Sequence, residues 1–242
     1  MNSNTNQINK VYNSRTASWK EVQENPQFQW NYNLLSQNSN ITWDIVLANP
    51  SKPWSFYGLG ENPNITWEIV LANSDKPWDF NTLSKNPNIT WEVVLANPDK
   101  PWNFDLLSKN PNITWEIVLA NPDKPWNYKW MCMNPNITYQ IVKDNPNVEF
   151  SYFHLSQNPN VTWDIVEANP DEPWYYESLS CNPSITWKII LENPDKPWVY
   201  HRISQNPSLT YENVANNADK PWNWYNLSMN PNPSFDCIRK SI

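Results

Sequence analysis

The stretch NPNITWEIVLANPDKPW, residues 110–126, returns before and after itself at a fixed spacing of 24 residues. The slot of Trp115 is filled along the chain by Trp19, Trp43, Trp67, Trp91, Tyr139, Trp163, Trp187, Tyr211 and Phe235, with no insertion between any two. Self-similarity at such a period marks a solenoid, in which each unit buries its apolar face only against its neighbours. The unit has two related halves, each with an aromatic residue four positions after the Pro of an Asn-Pro pair: half A around Trp115 and half B around Trp102. The half-B slot is held by Trp30, Trp54, Trp78, Trp102, Trp126, Phe150, Trp174, Trp198 and Trp222. The two slots contain 15 of the 17 tryptophans, so the aromatic content belongs to the repeat rather than to one site; Trp130 and Trp224 lie elsewhere.

Half A reads as a short helix. Thr114 is an N-cap, and Glu116 in the first turn suits the helix dipole. Val118, three past Trp115, is Val or Ile in all ten copies. Asn121-Pro122 stops the helix, because the residue before proline avoids the α region. Half B reads likewise, with Asp99 as the expected cap and Pro101 in the first turn, where a missing N–H costs nothing. Two past the half-B slot every copy is aromatic, and five past it every copy is Leu, Ile or Met. These offsets are three apart and share a helix face. Helices of two turns do not stand alone in water, so stacking must stabilise them. The expected fold is all-α: an α-solenoid of paired short helices, two per unit, forming an elongated superhelix. A β-solenoid competes, since Thr-Trp-Glu-Ile-Val is strand-like in composition. Against it, Ile117 to Ala120 break the alternation, and Gly58 and Gly60 are the only glycines for corners.

The array is expected over residues 17–238, as nine A+B units and a final A half, after a polar segment 1–16 and before a basic tail 239–242. The 23 prolines are periodic and bracket apolar segments, so they punctuate an ordered fold rather than signal disorder. The asparagine before each proline is expected to form a ladder, its side chain bonding backbone groups at helix ends.

A net charge of −7 argues against a nucleic-acid partner, which calls for a basic stripe. No stretch is apolar for long enough to span a membrane. The N-terminal residues lack the apolar run of a secretory signal. Three cysteines without a pattern suggest reduced thiols and an intracellular setting.

No set of residues recommends an enzyme. His154 and His201 are the only histidines and have no metal-ligand spacing. No nucleophile, base and orienter occur together, and no Gly-rich phosphate loop exists. Neither a catalytic residue, a cofactor nor a metal is expected. The aromatic rows read as core rather than as sugar- or base-stacking platforms. The acidic row at Asp44, Glu68, Glu92 and Glu116 reads as a solvated helix-dipole feature, and the Lys52, Lys76, Lys100 and Lys124 row as mixed surface. The Asn-Ile-Thr triplets match glycosylation acceptors, but threonine as helix cap explains them better.

What changes from copy to copy lies in half B, at offsets three, four and seven past the slot. Asn81, Thr82, Lys85, Asp105 and Lys109 in early copies are bland there. Later copies carry Lys129, Trp130, Phe153, His154, Glu177, His201, Arg202 and Tyr225. Aromatic, His and Arg side chains on one repeat face are what a protein-binding site uses, and these eight residues are the candidate partner-binding set. Neutral drift of exposed positions is the plain alternative.

The run NPNITWEIVLANPDKPW, followed by W-x-[FYW]-x-x-L-S, resembles tandem-repeat proteins encoded by giant DNA viruses of amoebae, over about residues 17–238. The resemblance implies a member of a multi-copy family that mediates interactions, in infected host cytoplasm or in the virion. Together these readings give a monomeric, non-enzymatic scaffold for a host or viral protein partner. The alternatives are a structural or self-assembling virion component and, disfavoured by charge, a single-strand nucleic-acid reader.

Overall fold

The computed structural model describes residues 13–235 and divides into two compact units, the first running to Asn127 and the second starting at Tyr128. In the first, half A forms α1 (Trp19–Glu24), α3 (Trp43–Ala48), α5 (Trp67–Ala72), α7 (Trp91–Ala96) and α9 (Trp115–Ala120). Half B forms α2 (Tyr32–Gln37), α4 (Phe56–Glu61), α6 (Phe80–Lys85) and α8 (Phe104–Leu107). In the second, half B gives α10 (Tyr128–Met131), α12 (Tyr152–Leu155), α14 (Tyr176–Leu179), α16 (Tyr200–Ile203) and α18 (Trp224–Met229). Half A gives α11 (Tyr139–Asp144), α13 (Trp163–Ala168), α15 (Trp187–Glu192), α17 (Tyr211–Ala215) and a 3-10 turn at Pro233–Phe235. Both units are all-α solenoids of paired short helices, and no strand occurs among the described residues.

Half A begins where its threonine predicts. Thr66, Thr90, Thr114, Thr138, Thr186 and Thr210 accept the N–H three residues on. At the other end Asn121 Nδ2 donates to Ile117 O at 2.7 Å, and Asn121 O accepts the Trp126 indole N–H at 2.8 Å. One residue thus closes the helix and satisfies the ring of the half-B slot.

Half B begins later than the sequence suggests. Pro101 and Trp102 precede α8 instead of forming its first turn. Trp102 N–H turns back to Lys100 O at 2.8 Å, and Asp99 pairs with Lys100 Nζ at 3.0 Å rather than capping. The cap is Asn103, whose Oδ1 accepts Leu106 N–H at 3.1 Å. Asn31, Ser55, Asp79, Ser151 and Asn223 do the same in their copies. The physical reason is that lysine before proline is pushed out of the α region, so the helix starts at the first polar residue beyond it.

The core is a strip. The Leu, Ile or Met five past each half-B slot is fully buried in all nine copies, from Leu35 to Leu227. The aliphatic residue two before each half-A slot, Ile41 to Leu209, is buried beside it. Rings cover this strip in a repeated pattern. Trp126 stands 5.2 Å from Trp91 and 5.3 Å, edge-on, from Phe104. Trp198 meets Trp163 and Tyr176 in the same way. Within each unit such a half-B ring closes over two rings of the preceding repeat, which ties repeats together through tilted and edge-to-face contacts.

The asparagine ladder is the second tie. Asn62 Nδ2 reaches three carbonyls of the repeat before it, Ser36 O at 2.9 Å and Asn38 O and Ile41 O at 3.0 Å, while its Oδ1 accepts Asn64 N–H at 2.9 Å. Asn182 and Asn206 repeat the arrangement in the second unit. These side chains are fully buried. A second row runs alongside: Asn64, Asn88, Asn112 and Asn160 donate Nδ2 to carbonyls 23 and 25 residues back. These are asparagines of the Asn-x-Thr triplets, so the amide nitrogen a glycan would modify is already bonded to the backbone. No buried side-chain N or O among the described residues lacks a partner.

A serine row completes the backbone satisfaction. Ser84 Oγ donates to Phe80 O at 2.6 Å and accepts Asn103 N–H at 3.0 Å; Ser156 does the same toward Tyr152 and Tyr175. Cys132 occupies this slot in its copy, with Sγ 3.3 Å from Tyr128 O and 3.2 Å from Ser151 N, so its place is not random in the unit. Burial pushes its thiol up to about 11. Gly60 stands in the slot in another copy, and Thr82 Oγ1 fills the space, 2.1 Å from where a Cβ would be. The third cysteine, Cys237, and the segments 1–12 and 236–242, including the expected basic tail, lie outside the described residues.

Candidate interaction surface

The eight candidate residues all lie on half-B helices of the second unit, in two rows that differ. Offset three faces solvent: Lys129, Glu177, His201 and Tyr225 are exposed, Tyr225 at 75%, and Phe153 is half-buried. Offset four does not face solvent fully. Trp130, His154 and Arg202 are half-buried there, as Leu106 is in the first unit, and Thr82 and Ser178 are buried. The first unit shows why. A Cβ on Gly58, at this offset, would lie 2.6 Å from Asn33 O and 2.8 Å from Ser36 Cβ of the previous half-B helix. Offset four points between successive helices, so the open strip is narrower than helical spacing alone suggests.

Several of the eight touch. Arg202 pairs with Glu177 through Nη2 at 3.0 Å and Nε at 3.1 Å, and reaches Gln205 Oε1 at 3.4 Å. Phe153 packs edge-on against the His154 ring at 5.2 Å, and His154 Nδ1 lies 2.9 Å from Ser151 Oγ. Asn226 Nδ2 donates to His201 O at 2.8 Å. Among the eight, the contacts thus join Arg202 to Glu177 and Phe153 to His154. Sequence reasoning missed two neighbours. Tyr175, 49% exposed, packs edge-on against Phe153 at 5.6 Å. It replaces the capping Asn, Ser or Asp of most other copies, as Val199 also does, and that departure was a readable signal. Trp224 holds a slot read as core yet is 57% exposed.

A different departure is compensated internally. Glu172 stands where Lys196 and Lys220 stand in the next copies, and Tyr139 stands in a tryptophan slot. Tyr139 OH donates its one proton to Glu172 Oε1 at 2.9 Å and lies 3.0 Å from Asn169 Oδ1; Tyr152 OH donates to Glu172 Oε2. Burial, reinforced by the carboxylate, pushes the Tyr139 phenol up to about 12 and raises that of Tyr152 as well. The ordinary value is about 10. A raised phenol value favours the neutral form in the fold, so this contribution is complete below about pH 10 and is lost as pH rises through about 12. Urea titrations at stepped alkaline pH should therefore show a fall in stability that is shallower when Tyr139 and Tyr152 are both changed to Phe. An equally steep fall in the double variant would remove these two groups as its cause.

Two open clefts lie over the aromatic rows. One, of about 640 Å3, is lined by Trp19, Trp30, Tyr32 and Lys52; the other, of about 220 Å3, by Trp163, Trp174, Tyr176 and Lys196. They occupy equivalent places in the repeat, so they are products of the repeat geometry. Glu172 lines the second with both its oxygens already bonded to tyrosine hydroxyls. Among the described residues no group of three His, Cys, Asp or Glu side chains could hold a metal, and no helix is long and apolar enough to cross a membrane. Comparison with protein-family models, with curated proteins and with solved structures gives no match.

Proposed function

We propose that the chain is a non-enzymatic repeat scaffold that binds another protein along the half-B helices of its second unit. One observation carries this reading. Core slots and ladder asparagines keep their chemistry from copy to copy, while the offset-three row runs Lys129, Phe153, Glu177, His201, Tyr225. A surface made only to be wet has no need of Phe and Tyr beside Tyr175 and Trp224, and binding energy concentrates on such side chains. The acidic balance favours a protein over a nucleic acid. The resemblance to giant-virus repeat proteins supports a role in infected host cytoplasm or in the particle.

The test is quantitative affinity purification from infected amoebae with the parent chain and with the pair His201→Ala and Tyr225→Ala. Both residues are exposed, so melting should not move. Recovery of the same partner is expected to fall more than tenfold, about 1.4 kcal/mol. Undiminished recovery would place the site elsewhere. Mass rising with concentration in sedimentation runs would favour self-assembly instead.

A further inference from the structure

The first unit carries a second surface. Leu47, Leu71, Leu95 and Leu119 lie at one slot on α3, α5, α7 and α9 and are 51–59% exposed. Three residues earlier on the same helices stand Asp44, Glu68, Glu92 and Glu116, also exposed. Spacing of three puts each carboxylate beside its leucine on one face, and small exposed alanines at 48, 72, 96 and 120 follow. Elsewhere the leucine slot is Gln23, Lys143, Glu167, Leu191 or Ala215, so the unbroken row belongs to these four helices.

The two rows are chemically unusual for a surface. Leucine in the slot five past each half-B Trp is fully buried, whereas here four consecutive copies leave it half open. Contiguous exposed apolar surface rimmed by polar groups marks an interaction site. The carboxylates are not matched by lysines. Asp75, Asp99 and Asp123 take up Lys76, Lys100 and Lys124 at 2.7–3.0 Å. Glu68 and Glu92 are held below the usual carboxylate range by Thr66 and Thr90 hydroxyls, and Glu116 by its backbone and Thr114, so all three stay charged.

We propose that this face docks a basic amphipathic helix of a partner protein, its leucine-like residues on the Leu row and its Lys or Arg residues on the acidic row. Charge decides the occupant. A second copy of this acidic chain would set carboxylates against carboxylates, and an anionic membrane or a nucleic acid would be repelled. Spacing agrees. Helices packed through side chains repeat at roughly 10 Å, and seven residues of an α-helix advance about 10.5 Å. One apolar and one basic position per heptad would therefore meet successive repeats. A helix about 10 Å across also covers both rows at once. This surface does not depend on the half-B strip of the second unit.

The probe is a synthetic helical peptide of four heptads, with Leu at the first and Lys at the fifth position of each heptad and neutral helix formers elsewhere. Controls carry Glu for Lys, or Ser for Leu. Binding to the full chain is read by fluorescence anisotropy. The Leu/Lys peptide is expected to bind at least tenfold more tightly than either control. Raising salt from about 0.1 M to about 1 M should weaken it, as exposed charge pairs are screened. Leu71→Gln with Leu95→Gln should lower affinity at least tenfold with an unchanged melting temperature. Glu68→Gln with Glu92→Gln should weaken binding and flatten its salt dependence. No binding, binding equal to that of the controls, or binding unaffected by the leucine pair would overturn the proposal.

Discussion

Asn62→Ala is expected to destabilise the first unit by about 4 kcal/mol. The side-chain Nδ2 shares its two N–H donors among three carbonyls of the preceding repeat, and Oδ1 accepts one N–H of its own turn. Alanine leaves these groups short of a partner in a fully buried site, at roughly 1–3 kcal/mol for each one left unpaired. Some of that is offset, because Asn38 O also accepts Ile41 N–H and Ile41 O accepts Asn64 Nδ2. Asn62→Asp separates hydrogen bonding from shape. The introduced carboxyl has the size of the amide but, once ionised, sets negative charge against three carbonyl oxygens. Burial and those oxygens raise its folded value above the ordinary value of about 3.9. The sign follows: the variant keeps its best stability below about pH 3.9 and loses it as pH rises through the folded value. Denaturant titrations near pH 4 and pH 7 should show the variant's deficit relative to the parent growing with pH. A deficit below about 1 kcal/mol for Asn62→Ala would mean the ladder is incidental.

Trp91→Ala should cost about 4 kcal/mol, within the range for large aromatic truncations in a core. Trp91 is 5% exposed and supports Trp126, which also rests on Phe104. The loss opens a cavity on one repeat and removes the support of the next, so it should spread in a way that a surface change does not. Trp91→Tyr should recover much of it, because the second unit already carries Tyr139 in this slot, 5.5 Å from Trp174. Recovery must come from packing, since Tyr139 has Glu172 to take its proton donor and the equivalent residue in the first unit is Lys124. A cost under about 1 kcal/mol for the alanine change would contradict a structural role for the half-A rings.

Much of this was legible in the sequence, for identifiable reasons. An unbroken period fixes which residues are equivalent, and Thr-Trp-Glu with a closing Asn-Pro marks the ends of half A. Half B was misjudged at its start because Pro101 and Trp102 look like a first turn. The cap residue Asn103, with Asn31, Ser55 and Asp79 at the same offset, carried the correct signal. Asparagines before proline could be read as backbone partners. Which backbone they reach could not, since the acceptors lie in another repeat, 21 to 26 residues back. The same limit applies to the candidate surface. Helical spacing groups offsets three, four and seven, but it does not say on which side the neighbouring helix lies. Packing placed offset four against that neighbour, leaving Trp130 and Arg202 half-buried and Tyr225, at offset three, 75% exposed. Leu119 was read as part of an apolar run; only the stacked repeats show that its side chain is left outside.

Within each unit, buried asparagine side chains hold a repeat to the one before it. The most direct measurement is hydrogen exchange of side-chain amide protons, followed by NMR. The Nδ2 protons of Asn62, Asn86, Asn182 and Asn206 should exchange on the order of a thousandfold more slowly than those of a free asparagine, because they open only when repeats separate. Exchange at the free rate in the folded protein would contradict the ladder and, with it, this account of what holds the repeats of each unit together.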